Sequence, residues 1–291
     1  MRGVGRATAA VTIVNALPTG TGAAAGILLP AHAELLLEAV AAGPGEGPRV
    51  VPPESDTPVV RASYVAAMRR LAPHEGRHGV LTIRSEIPVA VGLKSSSAVA
   101  SAVALAVARA TGTDLTGFGA AAISAEAGRA AGVSATGAFD DALAGAVGGA
   151  VVTDNVHDRL LLRRAIDPGL EVALWVPPGT HPPARDVRVR FAAVGDRARG
   201  PVDAALAGDL WTALELNSEI VEQVLGYPYR ELRLRLRTLG AVASGATGLG
   251  PAFAAVAPRA HIGPISSELA RRPGRSFVVP FAPERGTGGS S

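Results

Sequence analysis

The strongest constraint on the fold is a junction of three short pieces: an apolar run Val80 to Ile83, a loop Glu86 to Lys94, and a serine, alanine and valine run from Ser95 that stops near Gly112. A short apolar run reads as a strand and a glycine after a periodic run ends a helix, so the junction predicts strand, glycine loop, helix. Gly92, Lys94 and the hydroxyls of Ser95, Ser96 and Ser97 meet where that helix begins. The first amides of a helix have no intrahelical partner and the macrodipole adds positive potential, so such a terminus suits an anion. The candidate phosphate-binding loop is therefore Pro88, Val89, Ala90, Val91, Gly92, Leu93, Lys94, Ser95, Ser96, Ser97 and Ala98. Lys94 is the single lysine among 28 basic residues, which gives its position weight. Three serines could equally do no more than cap a helix. The chain has no Gly-Lys pair and no G-x-G-x-x-G after a strand, which excludes a Walker A loop and a Rossmann fingerprint.

Ala7 to Leu17 predicts a strand feeding the turn Pro18 to Gly22, and Ala25 to Leu29 a second strand; 31–42 shows no clear period and Gly43 to Pro53 predicts a surface loop. Val59 to Leu71 has the spacing of an amphipathic helix. Asp114 to Gly128 predicts a helix, Ala131 to Gly137 a loop, Asp140 to Ala146 a small-residue helix, and Ala150 to Thr153 a strand. Beyond these, Leu170 to Val176 and Ala252 to Val256 read as strands, Asp203 to Leu225 as a helix with a connecting Gly-Asp pair, and Ser244 to Gly250 as a second glycine loop. Leu232, Leu234 and Leu236 alternate with arginines, which fits a strand by period and a helix by its flanks. A domain change is expected near Asn155, giving units at 1–155 and 156–283 with a disordered tail over 284–291.

A 48% hydrophobic content can bury a sizeable core, while the net charge of only +3 and interleaved acidic residues argue against nucleic acid as a partner. The most apolar stretch, Ala98 to Ala110, is shorter than the ~20 residues a bilayer needs, so no membrane association is expected. The chain lacks cysteine and shows no export signal, which is compatible with the cytoplasm. The six histidines, His32, His74, His78, His157, His181 and His261, show no metal-ligand pairing.

The company of the serine loop identifies it further. Pro88-x-x-x-Gly92-Leu93-x-Ser95-Ser96-Ser97-Ala98 resembles the signature of the galacto-, homoserine, mevalonate and phosphomevalonate kinases, the GHMP superfamily. Thr12 to Ala16 with Thr19 to Gly22 resembles that family's first motif, Thr136 to Asp141 its acidic segment, and Ser244 to Pro251 its third motif. Within the superfamily, Thr12 to Gly22, Gly137 to Asn155 and Gly245 to Pro251 are most similar to the archaeal-type shikimate kinases. Lys94 departs from the pattern, which usually has Gly or Ser there; it either contacts phosphate or points to solvent.

The resemblance implies an α+β fold of two lobes, an N-terminal one like the second domain of ribosomal protein S5 and a C-terminal ferredoxin-like one, with the site between them. It implies ATP and Mg²⁺ as cofactors and transfer of the γ-phosphate to the 3-hydroxyl of shikimate; the alternatives are another GHMP kinase, of homoserine or mevalonate type, or a non-catalytic ATP sensor. By resemblance Ser97 (or Ser96) and Glu126 would ligate Mg²⁺, which takes oxygen ligands. Asp140 is the candidate general base and Asp141 the second choice, each open to the reading of an ordinary helix cap, with Lys94 in the catalytic set. Asn15, Thr19, Gly20, Gly22, Gly137, Ser244, Gly245, Thr247 and Gly248 complete the substrate and third-motif set. Arg188, with Arg185 and Arg190, is expected in a loop facing the cleft, where a guanidinium could bind the substrate carboxylate. Monomer and homodimer are both compatible with the sequence.

Overall fold

A computed structural model describes residues 1–38, 47–73, 78–182 and 184–285. The first lobe grows from a long antiparallel pair, β1 (Arg2–Val14) and β2 (Thr21–Leu37). After β3 (Arg49–Val51) come α1 (Pro58–Leu71), β4 (Gly79–Ser85), α2 (Ser95–Ala110), α3 (Gly117–Ala130) and α4 (Phe139–Val147). The strands β5 (Ala150–Asp154) and β6 (Arg159–Arg164) complete this sheet, whose order is β3-β4-β2-β5-β6 with β1 also paired to β2. Strand β2 serves two partners in turn, β5 through Thr21–Ala25 and β4 through Ala31–Leu37. It thus continues into the stretch without a clear sequence period, where burial does alternate: Ala31, Ala33, Leu35 and Leu37 are buried while Leu36, apolar but exposed, masks the period in the sequence.

The second lobe is an antiparallel sheet of order β10-β7-β9-β8, from β7 (Leu170–Val176), β8 (Ala243–Ala246), β9 (Phe253–Pro258) and β10 (Arg275–Pro280). Its helices are α5 (Ala184–Ala192), α6 (Arg199–Leu206), α7 (Leu210–Leu225), α8 (Arg230–Thr238) and α9 (Ile262–Ala270). The chain then returns to the first lobe: Phe281 bridges to Ile27, the Ala282 amide donates to Gly26 O at 2.8 Å, and Arg285 donates to Val147 O at 2.7 Å.

One reading left open is settled and several expectations are corrected. The Leu/Arg alternation is helix α8, in which Leu232 and Leu236, four residues apart, are buried while Leu234 is exposed. The helix expected over 203–225 with a connecting Gly-Asp pair is two helices, α6 already starting at Arg199, with the break at that pair: Asp209 after Gly208 caps α7 by accepting from the Thr212 amide at 3.2 Å. The segment expected as a loop around Arg188 is helix α5. The expected division after residue 155 falls between β5 and β6, which pair in one sheet that closes at Arg164. Glu284 and Arg285 of the expected disordered tail are placed, whereas 286–291, like His74 and part of the 43–53 loop, lie outside the described residues.

The main core runs from the first sheet and helices α1 and α2 into the second lobe, where Leu174, Leu214 and Val256 join it. Helix α2 carries almost only small residues on its buried face (Ala102, Ala106 and Ala110 beside Val103 and Val107), which lets its axis lie close against β1. That close docking fixes where the helix N-terminus points.

Candidate active site

The loop between β4 and α2 has three residues in the left-handed region, Ala90 at φ 57°, Gly92 at φ 93° and Lys94 at φ 65°. For Ala90 and Lys94 this costs on the order of 1–2 kcal/mol each, and strain of this kind concentrates at functional sites. A Cβ on Gly92 would collide with the Thr247 carbonyl, so only glycine lets the third motif close against the candidate phosphate-binding loop.

Lys94 is the N-cap residue of α2 and makes no side-chain cap bond. The first helical bond runs from the Ala98 amide to Lys94 O at 3.0 Å, so the Ser95, Ser96 and Ser97 amides precede the intrahelical ladder. The serines therefore occupy the first turn and do not cap the helix; Ser95, Ser96 and Ser97 all line a cavity of about 430 Å³ between the lobes. The Lys94 side chain does not point to solvent. Its Nζ lies 3.0 Å from Asp141 Oδ2, over the turn at Gly248.

Asp140 and Asp141 sit in the first turn of α4, whose N-cap is Ala138, so neither aspartate is the cap. Both are buried, at 3% and 5% exposure, and both line the cavity. Asn155, at the end of β5, donates from Nδ2 to Asp140 Oδ1 at 2.7 Å and accepts at Oδ1 from the Asp140 amide at 3.3 Å and the Thr153 hydroxyl at 2.6 Å. Gly22 completes this wall, because a Cβ there would stand 2.5 Å from Asp140 Oδ2. Burial pushes the Asp140 carboxyl above the usual carboxylate range, against the pull of Lys94 and Asn155. Burial and the neighbouring Asp140 push Asp141 up to about 7, with Lys94 opposing.

One hydroxyl joins the three motifs. Thr247 Oγ1 accepts from the Thr12 amide at 2.9 Å and donates to Gly92 O at 3.1 Å. Asn15 reinforces the clasp, donating from Nδ2 to Gly248 O at 3.2 Å while its amide donates to Asn217 Oδ1 at 2.9 Å. Gly20 O accepts from the Asn155 amide at 2.9 Å, which ties the first-motif turn to the Asp140 support.

The remaining candidates are scattered. Gly137 and Gly248 line the cavity, whereas Ser244 and Gly245 lie in β8 behind it, Gly245 against Ser218. Thr19 lines a separate, open depression with residues of α5 and α6, its hydroxyl accepting from the Thr21 amide at 3.2 Å. Arg188 is exposed on α5 and Arg190 likewise; neither lines the cavity, and the side chain of Arg185 lies outside the described residues. The residues to which sequence reasoning assigned no individual site role are Asn155, Thr12, Asn217 and His181; Thr12 and Asn155 lie in segments that resemble the family's, but their contacts are long-range and leave no local pattern.

Among the described residues no group of three or more His, Asp or Glu side chains converges on a metal position. Mg²⁺ needs fewer protein ligands, since it keeps waters and binds phosphate oxygens directly. Ser97 fits such a site. Glu126 fits poorly, because its two carboxylate oxygens are bound by Arg69 and Arg70 and it does not line the cavity.

Residues 60–149 match the family of GHMP kinases, N terminal domain. The chain is 34% identical over 276 residues to the shikimate kinase of Halobacterium salinarum, spanning 94% of this chain and 95% of that one. It is 39% identical over 259 residues to the shikimate kinase of Pyrococcus furiosus, spanning 88% and 92%. In structure it resembles the homoserine kinase of Cytophaga hutchinsonii (TM-score 0.73, 17% identity, 98% and 96% covered) and the mevalonate kinase of Methanococcus jannaschii (0.73, 12%, 97% and 99%). These two likenesses show the two-lobed fold.

Proposed function

The chain belongs to the shikimate kinases of the GHMP superfamily, and from that membership we propose that it transfers the γ-phosphate of ATP to the 3-hydroxyl of shikimate, giving shikimate 3-phosphate and ADP. The observation that carries the reading is the clasp of Thr247 on Thr12 and Gly92, which draws three distant motifs around one cavity holding both a helix N-terminus and a buried aspartate pair.

Phosphoryl transfer needs charge on the phosphate oxygens neutralised and the acceptor oxygen aligned with the γ-phosphorus. The Ser95, Ser96 and Ser97 amides and the α2 dipole would hold the phosphates, supported by the Pro88 to Ala98 loop backbone. Lys94, fixed between Asp141 and the Gly248 turn, would place an ammonium where charge spreads on the transferred group. The Ser97 hydroxyl would hold Mg²⁺ together with phosphate oxygens; when bound, the ion neutralises charge on the β and γ oxygens.

Asp140 would accept the proton of the attacking hydroxyl, and Asn155 would aim it. A carboxyl pushed upward by burial is a better base than an ordinary aspartate. Asp141 would hold Lys94 in place and share the pair's titration.

A coupled ADP-release assay over shikimate, homoserine, mevalonate and galactose tests the reading. Turnover of shikimate well above the other acceptors is expected; none above background would remove it.

A further inference from the structure

Two residues that line the cavity each carry a buried side-chain oxygen with no hydrogen-bond partner among the described residues, Thr12 Oγ1 and Asp141 Oδ1. Thr12 is only 2% exposed, so bulk solvent supplies little of what the protein does not. Neither residue is loosely held. The Thr12 amide is fixed by Thr247 Oγ1, next to a register shift between β1 and β2, and the second oxygen of Asp141 is tied to Lys94.

Buried polar groups are seldom left unpaired, and each orphan costs about 1–3 kcal/mol. Two orphans in one cavity point to a ligand that satisfies both. Their chemistry narrows the ligand: a threonine hydroxyl donates and accepts, but the second oxygen of the ionised carboxylate paired with Lys94 only accepts. A phosphate oxygen could accept from Thr12 but would repel Asp141, and an apolar group would satisfy neither. A hydroxyl can serve both.

We propose that Thr12 Oγ1 and Asp141 Oδ1 form the subsite for the second hydroxyl of the acceptor, the one adjacent to the hydroxyl phosphorylated through Asp140. The assignment rests on the shikimate kinase reading, in which that group is the 4-hydroxyl. It makes Thr12 a specificity-determining residue, because an acceptor lacking the hydroxyl leaves two buried polar atoms unpaired, and polar sites reject analogues by that penalty.

The experiment measures kcat/KM for shikimate and for 4-deoxyshikimate with the wild-type protein, Thr12→Val and Thr12→Ser. The wild type is expected to favour shikimate by at least about tenfold, as the loss of one or two hydrogen bonds gives. In Thr12→Val that preference should shrink about fivefold or more through KM for shikimate, with KM for ATP within about twofold. Thr12→Ser should restore it. An equal preference in Thr12→Val and wild type, or an effect confined to KM for ATP, overturns the subsite. If Thr12→Val does not fold, the wild-type arm decides alone, since a wild type indifferent to the 4-hydroxyl also overturns it. A wild type inert on shikimate overturns the functional reading and the subsite together, a result distinct from either variant outcome.

Discussion

Lys94 Nζ lies 3.0 Å from Asp141 Oδ2, in a pair whose side chains are 15% and 6% exposed. The only lysine of the chain thus leaves the anion loop's backbone at a strained left-handed position and turns inward to the acidic segment. A cation at the mouth of the helix and a carboxylate at the start of α4 are thereby one electrostatic unit.

Lys94→Met should reveal that unit through pH. The folded-state pKa of Asp141 lies above its ordinary value of 3.8, so ionising it is a cost that grows as pH rises from about 4 to about 7, and Lys94 offsets the cost. Without the lysine the variant should melt close to wild type at pH 5 and well below it at pH 8, by up to about 3–5 kcal/mol if the carboxylate stays ionised. Thermal melts at the two pH values check this; an equal loss at both would show that the pair does not carry the effect.

The pH profile of turnover follows from the same groups. Asp140 works as a base only when ionised, and burial raises both aspartates, so kcat/KM should fall as pH drops along an acid limb that lies above the ordinary carboxylate range. Asn155 and Lys94 pull Asp140 down, so Asn155→Ala and Lys94→Met should each move that acid limb upward. Asp140→Asn should lower kcat by about 10²-fold or more while leaving ATP binding nearly intact. Rate profiles across pH 5 to 9 are the measurement, and an acid limb at the ordinary carboxylate range would contradict the burial argument.

How much of this was legible beforehand depended on whether the signal was local. The strand, loop and helix around Gly92 were readable because chain punctuation and a small-residue run are local, and the bounds of α1 and β7 follow from apolar spacing. Asn155 was unreadable as a support, since nothing near it in sequence says that its amide reaches Asp140 across 15 residues. Thr247 was readable as part of a glycine loop, yet its bonds to Thr12 and Gly92 span 235 and 155 residues. The arginines near Arg188 misled because composition shows a charge without showing that a helix carries it on an exposed face.

Thr247→Val tests the clasp. The substitution keeps volume but strands the Thr12 amide and the Gly92 carbonyl, each buried, at about 1–3 kcal/mol per unsatisfied group. Stability should drop by that order, and KM for ATP should rise because the phosphate loop loses its brace. Thr247→Ser retains the hydroxyl and should recover both. A Val variant with wild-type stability and KM would mean that the three motifs are held together by packing alone.

The last prediction concerns a brace behind the site. Arg233 of α8 donates from Nε to Glu222 Oε1 of α7 at 2.8 Å, with exposures of 8% and 9%. The same oxygen accepts from the Ser218 hydroxyl at 2.8 Å, which in turn accepts from the Ala246 amide at 2.9 Å, one residue before Thr247. Removing one member of a buried pair leaves an uncompensated charge, so Arg233→Met should cost about 3–5 kcal/mol, whereas replacing both partners removes the charge as well. The double variant Glu222→Gln with Arg233→Met should therefore be more stable than Arg233→Met alone, and denaturant melts of the three proteins give the comparison. Because the chain of bonds ends at the third motif, the single variant should also raise KM for ATP while leaving the acid limb of kcat/KM in place, since neither residue lines the cavity that holds Asp140. If single and double variants were equally destabilised, the loss would lie in packing between α7 and α8, and the buried pair would have no electrostatic part in holding the loop.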